Sequence, residues 1–314
     1  MSEDFKEKRI EYLNNWPNVE PFEIEKEYYR LIDNCLSVNP SVFYPFKLCN
    51  NPDADYNKAV SLIIEAMDQL KKYPNFSYEF IFKAYDCFSK LYYPTIPQIT
   101  DKSKQLCDNE WSTILTSNID LCNAFISLLS SIPVKACQYI YKRICERNPE
   151  NKAYQRITTG ISGATTTPSN NRKMYIDTIK TTYGFDYNDY PNTIRKASLL
   201  YRYILRHDSF SLNSQTYTVS INDKLHIIFS GFLYTLRNDM MHGSSISITK
   251  SSKTTIGTFA TDYYAFLVLY YLLVMLIIDH FRSDYSSDIY EKLADNINTN
   301  VKLFREIFGK EIEK

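Results

Sequence analysis

Glycine is scarce in this chain, and this scarcity limits the possible folds more than any other feature. Only 7 of the 314 residues are glycine, whereas an average chain has about 7%. Folds with many tight turns or a glycine-rich phosphate loop need more glycine than this, and the sequence has neither a G-x-G-x-x-G nor a P-loop pattern. Apolar residues recur at intervals of three and four, so we expect an all-α fold.

The apolar periodicity predicts two groups of helices. They lie near residues 23–34, 55–73, 77–92, 108–130 and 134–147, and then near 171–183, 191–207, 222–241 and 286–308, with a very apolar helix that begins at Asp262. Residues 208–221 are expected to form a short strand pair or an extended loop. Residues 157–171 are small, polar and β-branched, which is typical of a linker. We therefore predict an N-terminal helical region of unknown role, 1–156, and a C-terminal helical bundle, 170–314.

Charge and cysteine content limit the classes of protein to which the chain can belong. The 36 basic and 36 acidic residues cancel, so any contact with RNA has to be local. The seven cysteines form no C-x-x-C pair, and we expect free, mostly buried thiols with no metal site and no cofactor. The charged N-terminus lacks an apolar signal segment. The uncharged run 263–278 has sixteen residues, fewer than the roughly 20 of a membrane span, so we expect a cytoplasmic protein without a membrane partner.

Residues 236–243 end the helix predicted near 222–241 and carry the candidate chemistry. Arg237 offers a planar, permanently charged fork that suits a phosphate, and His242 can exchange a proton near neutral pH. Asn238 can orient the phosphate or fix the histidine ring, and Gly243 is suited to end the helix. This pattern predicts a catalytic group of Arg237, Asn238 and His242. The alternative interpretation is that arginine and histidine only cap the helix.

Helical winding separates Arg237 and His242 by about 140°, so one straight helix does not bring them to one phosphate. Two arrangements remain open. The helix unwinds near Met241–His242, next to Gly243, or two copies of the chain pack about a two-fold axis and line one cleft with both arginines and both histidines. RNA transesterification by the 2′-OH needs a base and an acid, and a dimer supplies two histidines.

The segment resembles the HEPN family motif, in which an arginine is followed by a polar residue and, after four to six residues, by a histidine. Arg237, Asn238 and His242 fill these positions, and the resemblance covers about residues 170–310. It implies a HEPN-like helical bundle that forms a homodimer and a metal-independent endoribonuclease that leaves 2′,3′-cyclic phosphate ends. It also implies a role in phage defence or a toxin–antitoxin system, with a regulatory protein or antitoxin as partner. Ser244 stands where one subgroup has a tyrosine that its antitoxin modifies.

Other basic residues are weaker candidates. Lys250, Lys253 and Arg206 are predicted to contact the RNA backbone, although lysines in a loop are often only solvated. Arg202 and His207 repeat the spacing of the motif at the end of an ordinary helix. Two alternative functions remain open: a non-catalytic HEPN-like module that binds RNA, a nucleotide or a protein, and a helical interaction protein whose motif is a cap.

Overall fold

A computed structural model of the chain describes residues 5–145, 152–159, 170–184, 190–241 and 248–313. Within these ranges the regular secondary structure is helical apart from one two-stranded hairpin, which confirms the predicted all-α class. The first nine helices are α1 (Phe5–Asn14), α2 (Glu23–Val38), α3 (Ala54–Gln69), α4 (Pro74–Tyr92), α5 (Ile99–Asp108), α6 (Glu110–Ser117), α7 (Ile119–Ser130), α8 (Val134–Cys145) and α9 (Lys152–Thr159).

The second half of the chain contains the hairpin and the motif helix. Its elements are α10 (Asn170–Tyr183), α11 (Tyr190–Arg206), β1 (Ser209–Leu212), β2 (Gln215–Thr218), α12 (Ile221–His226), a π-helical segment (Ile227–Leu233), α13 (Tyr234–Met241), α14 (Ile256–His280) and α15 (Ile289–Glu313). The strands pair antiparallel across a turn in which Asn213 and Ser214 have positive φ. Of the two possibilities open for 208–221, the strand pair is therefore confirmed.

Two predicted helix boundaries are wrong. The single helix expected over 108–130 is two helices, α6 and α7, preceded by the last residue of α5, because the chain leaves helical geometry at Asn109 and Asn118. The Asn118 side chain donates to the Ile114 carbonyl at 2.7 Å, a bond of the kind that lets asparagine compete with the helical backbone. The apolar helix begins at Ile256 rather than at Asp262, since the Thr258 hydroxyl accepts from the Thr255 N–H and closes the first turn.

α14 lies at the centre of the core, and its residues from Phe259 to Ile278 are all buried. It packs against α4, α6 and α8 as well as α15, so helices from both predicted regions share one hydrophobic core. α14 is long and apolar enough to cross a membrane but is wholly buried inside the protein, which is compatible with a soluble protein. Residues 160–169, at the centre of the predicted linker, lie outside the described residues, and the division there stays a prediction.

The motif helix is continuous from Ile221 to Met241, with the π-helical segment between α12 and α13. Ser220 is its N-cap: the Ser220 hydroxyl accepts from the Asp223 N–H at 3.1 Å. α9 packs closely on the π-helical segment at Gly231. A Cβ atom on this glycine would lie 2.5 Å from Cδ1 of the buried Ile157, so the close approach of the two helices depends on its missing side chain.

Candidate functional site

Arg237 lies on the side of α13 that faces α4. Its Cζ atom is 5.8 Å from the centre of the Phe82 ring, and its Nη1 donates to Asn238 Oδ1 at 3.0 Å. The structure thus brings together two of the three predicted catalytic residues. Among the described residues no carboxylate forms an ion pair with Arg237, so its fork is available to an anion.

A cleft between α4 and α13 opens beside this guanidinium. Phe82, Met240 and the half-exposed Met241 give it apolar walls, and its charged residues are of both signs: Arg237 and Lys83, Glu79 and Asp86. The cleft thus combines a charged fork, which can bind a phosphate, with an apolar surface, which can contact a base.

His242 lies outside the described residues, as do Gly243 and Ser244. Met241 is the last residue of α13 that the structure describes, and the helix is intact to that point. The approach of Arg237 and His242 to one phosphate, by unwinding or across a dimer, therefore stays a prediction.

Asp239 lies on the opposite side of α13 from Arg237 and contacts α8. Its carboxylate accepts from the Tyr139 hydroxyl at 2.8 Å and forms an ion pair with Arg143. Both partners of this ion pair are about three-quarters buried. Asp239 therefore links α13 to α8 and neutralises Arg143.

Arg156 on α9 is a second cation beside the motif helix, and no sequence motif marks it. Its Nη2 donates to Thr235 Oγ1 at 2.7 Å, its Nε donates to the Ser230 carbonyl at 3.3 Å, and its Cζ is 5.1 Å from the centre of the Tyr234 ring. Burial lowers the pKa of Arg156, but an arginine remains charged. Its position depends on the packing of α9 against Gly231, which a local sequence pattern does not encode.

The three weaker candidates have contacts elsewhere. Lys250 Nζ pairs with Glu25 Oε2 at 2.6 Å, and Arg206 donates twice to the Ser130 carbonyl at the end of α7, at 3.1 Å. Lys253 is exposed on the loop before α14. None of the hydrogen bonds described for these residues involves α13, and their role in RNA binding stays a prediction.

The other histidines that the structure describes have local partners. His207 stacks on Tyr203 with ring centres 4.0 Å apart and is exposed, whereas Arg202 is buried, so this second pair does not share a surface. His226 is fully buried, with Nε2 2.8 Å from Asp108 Oδ1. Burial lowers its pKa, and the pair links α12 to the end of α5.

No family model matches the chain, and neither a curated protein nor a solved structure matches it. The resemblance to the HEPN family therefore depends on the motif and its helical surroundings. The described geometry offers an arginine that no carboxylate in the described ranges pairs with, aligned by an amide and placed beside a cleft with both apolar and charged lining.

Proposed function

We propose that the protein is a metal-independent endoribonuclease of the HEPN type. The observation that carries the proposal is the state of Arg237: its guanidinium is aligned by Asn238, lies over the Phe82 ring and forms no ion pair within the described ranges. An arginine kept in this state can use both edges of its fork on a phosphodiester. The sequence places His242, a residue suited to proton transfer, five positions later.

In the proposed reaction the ribose 2′-oxygen attacks the neighbouring phosphorus, and the bond from phosphorus to the 5′-oxygen breaks. Arg237 holds the phosphate and stabilises the charge that builds up on it. His242 takes the proton from the 2′-OH or gives one to the leaving 5′-oxygen, and a second copy of the chain supplies the other histidine. Asn238 keeps Arg237 aligned. The products are a 2′,3′-cyclic phosphate and a 5′-OH.

The same resemblance supplies the biological setting of the proposal. In it the protein is a cytoplasmic homodimer that acts on RNA in phage defence or in a toxin–antitoxin pair, with a regulatory protein or antitoxin as its partner. The buried position of α14 is compatible with a soluble protein of this kind.

The test is cleavage of end-labelled single-stranded RNA by the purified protein in EDTA. We expect products with 2′,3′-cyclic phosphate ends, and a loss of rate of about 100-fold or more in Arg237→Ala and in His242→Ala. Arg195→Ala removes an exposed arginine of α11 and serves as the matched control, which should cleave like the wild type. Circular dichroism should show that all three variants are folded.

Each other outcome selects a different function. Cleavage that survives in His242→Ala contradicts the assignment. Binding of RNA without cleavage, weakened in Arg237→Ala, indicates a non-catalytic binding module. If neither substitution changes cleavage or binding and both only slightly lower stability, the motif is a helix cap.

A further inference from the structure

Two guanidiniums and two aromatic rings form a row along α13. Arg156 lies 5.1 Å from the centre of the Tyr234 ring, and the Tyr234 and Phe82 ring centres are 6.3 Å apart. At the other end Arg237 lies 5.8 Å from the centre of the Phe82 ring. The distance between the two cations is therefore at most the sum of these three distances, and the rings between them are the buried Phe82 and the partly buried Tyr234.

Within the described ranges no carboxylate pairs with either end cation, whereas the nearby Arg143 has a carboxylate partner. Arg143 is neutralised by Asp239, but within the described ranges Arg156 donates only to a hydroxyl and a carbonyl oxygen, and no carboxylate pairs with it. Burial disfavours the charge of Arg156, and the nearby Arg143 disfavours it further. A half-buried cation in this position is most stable when an anion binds to it.

The surface between the two cations is suited to a nucleobase. Successive residues of α13 are about 100° apart, so Tyr234, Asn238 and Met241 share one side of the helix, on which Tyr234 and Asn238 are partly buried and Met241 is exposed. This side carries a ring, an amide and a thioether, and each is at least partly accessible to solvent. Aromatic rings stack on unpaired bases, and amides bond to their edges.

We propose that this row is a binding track for single-stranded RNA, in which Arg156 binds a phosphate adjacent to the one held by Arg237 and Tyr234 stacks on the base between them. The proposal takes its substrate class from the proposed function but does not depend on cleavage. Double-stranded RNA fits less well, because its bases are paired and stacked inside the helix.

The test measures the salt dependence of RNA binding in the His242→Ala background, so that the RNA is not consumed. A labelled single-stranded oligonucleotide is titrated between about 50 and 200 mM salt. Arg156→Gln and Arg237→Gln should each reduce the slope of log affinity against log salt by about 0.7, and the double variant by twice that amount. Tyr234→Leu should weaken binding about fivefold or more without changing the slope.

Lys152→Gln is the matched control, because it removes an exposed positive charge from the same helix. Its slope should equal that of the background protein. Arg156→Lys keeps the charge and should keep the slope. Arg156 also contacts the Ser230 carbonyl of the π-helical segment, so a purely structural role would lower the Tm of Arg156→Gln and leave the slope unchanged.

The outcomes separate this proposal from the proposed function. An unchanged slope in Arg156→Gln, or no RNA binding at any salt concentration, overturns the binding track. If the wild type cleaves RNA while that slope is unchanged, the ribonuclease stands and the track fails. If the slopes fall as expected but the wild type does not cleave, the track stands and the ribonuclease fails.

Discussion

Asp262 is a carboxylic acid held inside the core of the protein. Its side chain is fully buried in α14, and its Oδ2 atom has no hydrogen-bond partner within the described ranges. Burial raises the pKa of Asp262 to about 8, although the nearby Lys135 lowers it by a smaller amount. Lys135 donates instead to three oxygen atoms at the start of α14, including Thr258 Oγ1 at 2.6 Å. Asp262 is therefore mostly neutral at pH 7.

This raised pKa predicts how stability depends on pH. Between about pH 4 and pH 8 the unfolded chain releases the Asp262 proton and the folded protein keeps it, so the free energy of unfolding falls as the pH rises, by at most about 1.4 kcal/mol per pH unit. Asp262→Asn does not titrate and should lose this decline. The measurement is urea unfolding of both proteins at about pH 5 and pH 8. From the lower to the higher pH, the free energy of unfolding of the variant relative to that of wild type should rise by more than about 1 kcal/mol.

An exposed carboxylate provides the comparison for this experiment. Asp33→Asn, on the exposed face of α2, should leave the pH dependence as it is in the wild type. Parallel stability curves for wild type and Asp262→Asn would contradict a proton held on this buried carboxyl group.

The contact between α9 and the π-helical segment positions Arg156 beside the motif helix. A Cβ atom on Gly231 would lie 2.5 Å from Cδ1 and 2.8 Å from Cγ1 of Ile157, whose side chain is fully buried. Gly231→Ala should therefore lower the free energy of unfolding by about 1–3 kcal/mol, measured by urea denaturation. Gly309→Ala is the control, because its Cβ atom would meet nothing within 4 Å, and it should change stability by less than about 1 kcal/mol.

Combining Gly231→Ala with a smaller side chain at Ile157 tests whether contact between these two residues causes the loss of stability. Ile157→Val removes Cδ1, so the double variant with Gly231→Ala should be more stable than the sum of the two single effects predicts. Additive effects would mean that the glycine acts through the backbone conformation of the π-helical segment rather than through contact with α9.

The sequence predicts elements better than it predicts their boundaries and contacts. Apolar periodicity finds the motif helix within one residue of its described bounds, because its buried face repeats at helical spacing. It misses the break at Asn109, the break at Asn118, where the side chain bonds to a helix carbonyl, and the π-helical segment, whose residues are all buried. Within the site it identifies Arg237 and Asn238 as neighbours in one short segment. Arg156 becomes part of the site only through tertiary packing.

Helices from the two predicted regions of the chain meet along α14. Tyr92 and Trp111, both from the N-terminal region, donate to carbonyl groups of α14 at 2.8 and 2.9 Å. Hydrogen bonds to these carbonyl groups and apolar packing cover the same helix from both halves of the chain. The N-terminal helices therefore complete the core against which the motif helix packs, and we expect changes in them to affect the site through that core.

Winding would place Arg237 and His242 about 140° apart on one straight helix, so assembly decides how they reach one phosphate. If two copies share the site and each supplies one of the two histidines, mixing wild type with an excess of His242→Ala under conditions that allow subunit exchange should lower RNA cleavage with about the square of the wild-type fraction, because a mixed dimer has only one histidine. Mixing wild type with the same excess of Arg195→Ala should give the rate of wild type at the same total concentration. If subunits exchange, as detected by labelling, and the rate in the first mixture falls only in proportion to the wild-type fraction, each chain completes its site alone, and unwinding after Met241 becomes the required arrangement.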